Sequence, residues 1–218
     1  MPGSTDVAWI QISSTSSAPY APIITSTGNV LLSLELGRGT ASATGAAAGC
    51  LTIADAGNLT VSSEVGVGMY YYSTNPSQVS TLYLNGGTLT KSTTGSTSIY
   101  VGWNGANGKV IMDGDAAFTA TGTAGCYLYV GSSATANNTT SGLVQLSGTS
   151  ALTLGTLSGG LYIGYATTGT ASGKVSLTDN AVVTITSTTA YYGCGTATTG
   201  TNSSGVLDIS GSAKYSTT

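Results

Sequence analysis

Few side chains in this sequence are equipped for chemistry. Eight carboxylates (Asp6, Glu35, Asp55, Glu64, Asp113, Asp115, Asp179 and Asp208) stand against five basic residues, and histidine is absent. A Ser-His-Asp arrangement is therefore impossible, and no serine has a visible base. Enzymes that cleave polysaccharides need clustered carboxylates, or carboxylates that hold calcium beside a basic residue able to take a proton. Here Asp55, Asp113, Asp115 and Asp179 fall in the short runs ADAGN, DGDA and TDNA, where Asp serves a turn by bonding its local backbone. Asp113, Gly114 and Asp115 would hold a calcium ion only weakly, since they lack the nonapeptide GGxGxDxUx that stacks calcium ligands. The Gly-rich tracts lie between strand-like segments and do not form a phosphate loop. Cys50, Cys126 and Cys194 are 76 and 68 residues apart and include no CxxC pair, so neither a disulfide framework nor a zinc site is signalled. They read as small buried residues, and the odd number leaves one unpaired or pairing between chains. No cofactor is implied, and the chain reads as a non-enzyme.

The bulk composition narrows the partners. With 6% charged residues, a net charge of -3 and a pI near 4.4, there is no basic stripe to displace counterions from phosphates, so nucleic acid is not a partner. No stretch reaches the roughly 20 apolar residues of a membrane span, and the start MPGSTDVAWI has neither a basic nor an apolar leader region. This segment is expected not to insert into a membrane; either an export signal lies outside this sequence or the chain is cytosolic, and the first reading is favoured. A surface of Ser, Thr, Asn and Gly with few charges points to an extracellular or cell-surface setting. The 218 residues include 38 Thr and 30 Ser, yet 40% are hydrophobic, which is too apolar for a disordered linker. The Lys, Arg and Glu that solvate helix faces are scarce, while Thr, Val, Tyr and Gly abound, so the class is all-β.

These residues are positioned by a repeat. LELG ends at Gly37, VGVG at Gly68, IYVG at Gly102, LYVG at Gly131, LYIG at Gly164 and YGCG at Gly195, giving spacings of 31, 34, 29, 33 and 31 residues. After each comes a variable tract of Gly, Ser, Thr and Asn. A second strand follows, marked by the alternating pairs Leu51 and Ile53, Leu82 and Leu84, Val110 and Met112, Val144 and Leu146, Val175 and Leu177, and Leu207 and Ile209. A turn rich in Asp, Asn and Gly leads to a third strand at Leu59, Leu89, Phe118, Leu152, Val183 and Tyr215. Three short strands in about 31 residues make one coil of a parallel β-helix, each strand pairing with its counterpart one coil on. About six coils at a strand spacing of about 4.8 Å make a rod of roughly 25 to 30 Å. A propeller ranks second, because its blades need four antiparallel strands and more residues per repeat. An antiparallel sandwich or barrel ranks third, since its strands would lack this periodicity.

The recurring LYVG, G-x-V-x-L-x-G and A-x-L-T-V segments resemble the passenger regions of bacterial autotransporters and related surface proteins with autotransporter-associated β-strand repeats. The resemblance covers roughly residues 30 to 218. It implies a right-handed parallel β-helix, a scaffold that carries adhesins, fibres and enzymes alike. The chain departs from the pattern in showing no membrane-barrel segment. The turn NGG is also one residue shorter than its equivalents, which bears on whether Lys91 takes an inward position. Residues 1–29 fit the repeat less well. VAWIQISS and the bend through Pro19 and Pro22 read as a cap, with Trp9, Ile10 and Ile12 over the core end, or as a strand offered to a neighbour.

Two outward columns follow from the phase. If Leu128 and Val130 point inward, Tyr129 points outward with Tyr100 and Tyr162 on adjacent coils, and Trp103 and Tyr165 stand just after the glycines. Such a ladder would stack on sugar rings or on a neighbouring subunit, or its rings would pack along one another. Thr60, Thr90, Thr119, Thr153 and Thr184 form the other column; Thr also simply favours strands, and ice binding is a distant third reading of the function. The leading reading is a structural or adhesive rod whose last coil, ending at Lys214 to Thr218, stacks head to tail on another copy and so yields filaments. The competing reading is a carbohydrate-binding or carbohydrate-processing β-helix, with surface glycans as partners. Sequons stand at Asn58, Asn137, Asn138 and Asn202.

Overall fold

Alternation of apolar residues with Thr, Tyr and Ser is the pattern of a strand with one face in a core and one outside. The computed structural model of the chain describes residues 5–10, 22–38, 48–69, 79–123, 125–197 and 202–217, and among these every regular element is a strand. All named strands pair in parallel, so the chain is a three-faced β-solenoid, with a number of coils close to the six expected.

Each face repeats in strict register. On the first, Ile10, Leu36, Val67, Val101, Val130, Ile163 and Cys194 follow one another coil by coil. On the second the sequence is Ile24, Ile53, Leu84, Met112, Leu146, Leu177 and Ile209. On the third it is Leu31, Val61, Lys91, Ala120, Leu154, Ile185 and Thr217. Leu51, Leu82, Val110, Val144, Val175 and Leu207 are likewise stacked neighbours. Stacking withdraws most of the described side chains in these columns from water, each buried Val, Leu or Ile contributing about 1.5–3 kcal/mol.

The stack reaches into residues 1–29. Val7–Ile10 lies beside Ser33–Leu36, and Ile23–Ile24 lies beside Cys50–Ala54. Ile12, Pro19, the side chain of Trp9 and Thr218 lie outside the described residues. In the later coils the strands do not stop at every corner. Gly125–Leu146, Ala151–Leu177 and Val182–Ala197 run through from one face to the next while staying paired. Shifts of register between Ser133 and Ala134, and between Ala134 and Thr139, absorb the unequal tract there.

Paired glycines make the corner between the first and second faces. Gly102, Gly131 and Gly164 have positive φ, and a Cβ on any of them would overlap the carbonyl of Ser141, Ser172 or Ser204 in the next coil. Their counterparts at the start of the second face, Gly108, Gly142 and Gly173, have no room for a side chain either. A Cβ there would overlap the carbonyl of Val67, Val101 or Val130 one coil back. The backbone turns inward at this point and touches backbone, which only glycine allows. The corner between the second and third faces is uniform by a different means. Amides such as Thr149, Asn180 and Ser212 donate to the carbonyls of Gly114, Gly148 and Asp179 one coil back, at 2.7–2.9 Å.

The short turn NGG does not break this register. Asn58 pairs with Thr88 and Val61 with Lys91, and Lys91 points inward and is fully buried. Cys126 is also fully buried and Cys50 half-buried, both as free thiols. The side chain of Cys194 lies outside what is described.

Candidate functional site

The outward aromatic column is built by strands whose inward neighbours are fixed in the core. Leu128 and Val130 are buried, so Tyr129 between them faces out. Register then places Tyr100 on one side of it and Tyr162 on the other. The rings lie on one another, Tyr100 on Tyr129 at 5.4 Å and 15°, and Tyr129 on Tyr162 at 5.0 Å and 10°. Trp103 covers the other face of Tyr100 at 4.4 Å and 15°, and Tyr165 leans on Tyr162 at 5.3 Å and 60°. Trp103 and Tyr165 share a column of their own, with Ser132 between them.

All five rings are half-buried. Mutual stacking has a chemical consequence at Tyr100 and Tyr129, each stacked on two other rings, because their flat faces are taken up by those rings and the edges are what remain for a sugar. Burial, followed by the nearby hydroxyls of Tyr100, Tyr162, Tyr165 and Tyr127, holds the Tyr129 phenol well above its ordinary range. Tyr127 joins the cluster at 6.5 Å from Tyr129; it lies two residues earlier on the same outward side, a position that the alternation already implied. At the far side of the ladder the column passes to Gly66. There the Met69 side chain occupies the space that a Cβ would need.

The second column is equally regular. Thr60, Thr90, Thr119, Thr153 and Thr184 are direct partners along the third face, all half-buried. The hydroxyls of Thr184 and Ser216 are 3.3 Å apart. The parallel outward column beside it is less regular, with Gly155 standing between Thr121 and Thr186.

Two of the turn carboxylates bond both their own turn and the turn of an adjacent coil. Asp113 Oδ1 accepts from the Gly114 amide at 2.7 Å and from Ser147 Oγ at 3.1 Å. Asp179 Oδ2 accepts from the Gly148 amide at 3.0 Å and from Thr178 Oγ1 at 3.3 Å. Asp55 Oδ1 and Asp115 Oδ1 both come up to the space that a Cβ on Gly86 would fill. Among the described residues no group of three or more His, Cys, Asp and Glu is arranged to hold a metal ion. No helix among them is long and apolar enough to cross a membrane.

A third cluster was not assembled by sequence reasoning. Glu35 is nearly buried and pairs with Arg38 at 2.6 Å. Burial, then Glu35, pushes the nearby Glu64 carboxyl up, against the pull of Arg38 and Lys91. Lys91 itself is pushed down to about 8 by burial, against the influence of Cys126 and Glu64. Burial pushes the Cys126 thiol up to about 11. The short turn before Lys91 was the available signal.

The chain matches no protein-family model, no curated protein and no solved structure. The likeness to autotransporter passengers rests on the sequence motifs alone.

Proposed function

We propose that the protein is a non-catalytic structural rod of the cell surface or extracellular space, whose coils provide length and a regular surface and which associates end to end with copies of itself. The observation that carries this reading is how the groups with chemical potential are used. Asp113 and Asp179 bond the turns, Glu35 and Asp208 pair with Arg38 and Lys174, the aromatic rings stack on one another, and the Thr column continues the lattice of the strands. The autotransporter-like motifs are consistent with a surface location.

End-to-end association is supported by the way the columns are built. Each inward residue is covered by its counterpart one coil on, as Val175 and Leu177 are by Leu207 and Ile209, so a coil of another copy meeting an end coil would extend the same columns and parallel ladders. A copy of the chain added in this way makes a contact that does not close, and so grows a filament.

The test is light scattering and electron microscopy of the purified chain at high concentration. Filaments are expected, and Ile209→Lys should stop their growth while leaving the circular dichroism unchanged. Asp113→Asn combined with Asp115→Asn should grow normally. A strictly monomeric chain removes the assembly reading, and cleavage of a polysaccharide that the Asp113 and Asp115 changes abolish removes the structural one.

A further inference from the structure

Lys91 is the one position in its column that cannot be explained by packing. The inward residues around it on the third face are Val61, Ala120, Leu154 and Ile185. Lys91 is among the largest fully buried side chains of the chain, and its Nζ has no hydrogen-bond partner. Ala120, directly beside it on the next coil, is the small residue that leaves room for the long chain. A buried ammonium without a partner is costly, whereas the neutral amine is tolerated.

The ionisable groups that bear on it come from two neighbouring elements. Glu64, at the corner after Asn58–Val61, and Cys126, in Gly125–Leu146, both act on it from a distance, and neither bonds it. Glu35 and Arg38 reach it only through Glu64. The strand Ala117–Gly122 brings no charge.

We propose that Lys91 makes the junction between its own coil, residues 79–103, and the next, residues 107–133, a proton-controlled seam. With the amine charged, the two coils part there before the rest of the solenoid does; with the amine neutral, they close. The direction follows from linkage. The amine titrates near 8 when enclosed and near its ordinary 10.5 when freed, so the open state binds more protons between those values. Opening is then most favoured below about pH 8 and is suppressed as pH rises above it. Cys126 acts the other way, but its opposing effect begins only near its ordinary value of 9.0.

Hydrogen exchange of the full chain, read by mass spectrometry and corrected for intrinsic amide chemistry, tests this. Between about pH 7 and about pH 9, peptides covering Thr88–Thr93 and Ala117–Gly122 should gain about tenfold in protection relative to Cys50–Ala54. Lys91→Met should be well protected at both pH values, with no such gain. In Glu64→Gln, which removes the countercharge but keeps the amine, the gain should begin at lower pH. The two variants alter different groups, so the test survives if one of them fails to fold. No pH-dependent gain in the wild-type chain, or the same gain in Lys91→Met, overturns the seam.

Discussion

At the scale of single residues, the chain is governed by where a side chain is forbidden rather than by where one is active. Gly173 and Gly155 make the contrast. A Cβ on Gly173 would overlap the Val130 carbonyl, whereas the nearest atom to a Cβ on Gly155 is Thr121 Cγ2 at 3.9 Å. Gly173→Ala should therefore cost about 2 kcal/mol or more through displaced backbone. Gly155→Ala should be neutral or stabilising by up to about 1 kcal/mol, because it reduces the freedom of the unfolded chain. Denaturant midpoints of the two variants check the pair, and equal effects would mean that the corner is looser than described. The turn glycines Gly102, Gly131 and Gly164 could be read from the sequence as the phase markers of the repeat. The reason that Gly108, Gly142 and Gly173 must accompany them could not, because it lies in contacts between backbones one coil apart.

At the scale of the element, a strand here is stable only as a member of its column. Val130 is fully buried, between Val101 and Ile163 on the adjoining coils. Val130→Asp would place an unpaired carboxylate between two apolar layers, at a cost of about 3 kcal/mol or more. The expected outcome is insoluble expression or a strongly lowered melting temperature, while Tyr129→Phe next to it should fold normally. The columns were legible in the sequence because inward Leu, Val and Ile alternate with outward Tyr and Thr in constant phase, and Val67, Val101, Val130 and Ile163 stack as that phase requires. The behaviour of the tyrosines was not legible to the same degree. Period fixes which way Tyr100, Tyr129 and Tyr162 point. Whether their rings meet a ligand or one another depends on torsions and on the 5 Å separation between coils, which no spacing in the sequence encodes. Lys91 lay between these cases: its shortened turn drew attention to it, but the burial of its amine needed the register of three coils.

At the scale of the whole molecule, each coil touches only its neighbours, and stability is the sum of coils and the interfaces between them. Removing residues 102–130 would join Val101 to Gly131 and restore the same local sequence, with Val101 and Val130 being direct partners in register. That deletion should leave a folded β-solenoid with an unchanged shape of its circular dichroism spectrum, a lower melting temperature and a smaller unfolding enthalpy. Collapse of the β signal would show that the coils are not interchangeable. The corner between the first and second faces has a further use. The glycine pair that closes it fixes the chain on both sides, and what lies between the two glycines varies from five residues after Gly102 to ten after Gly131. A foreign peptide inserted into that corner after the column of Trp103, Ser132 and Tyr165 would leave the inward columns untouched. Grafts in successive coils would stand in a single file down one edge at a pitch of about 4.8 Å, which makes that edge a ruler for arraying epitopes or mineral-binding groups.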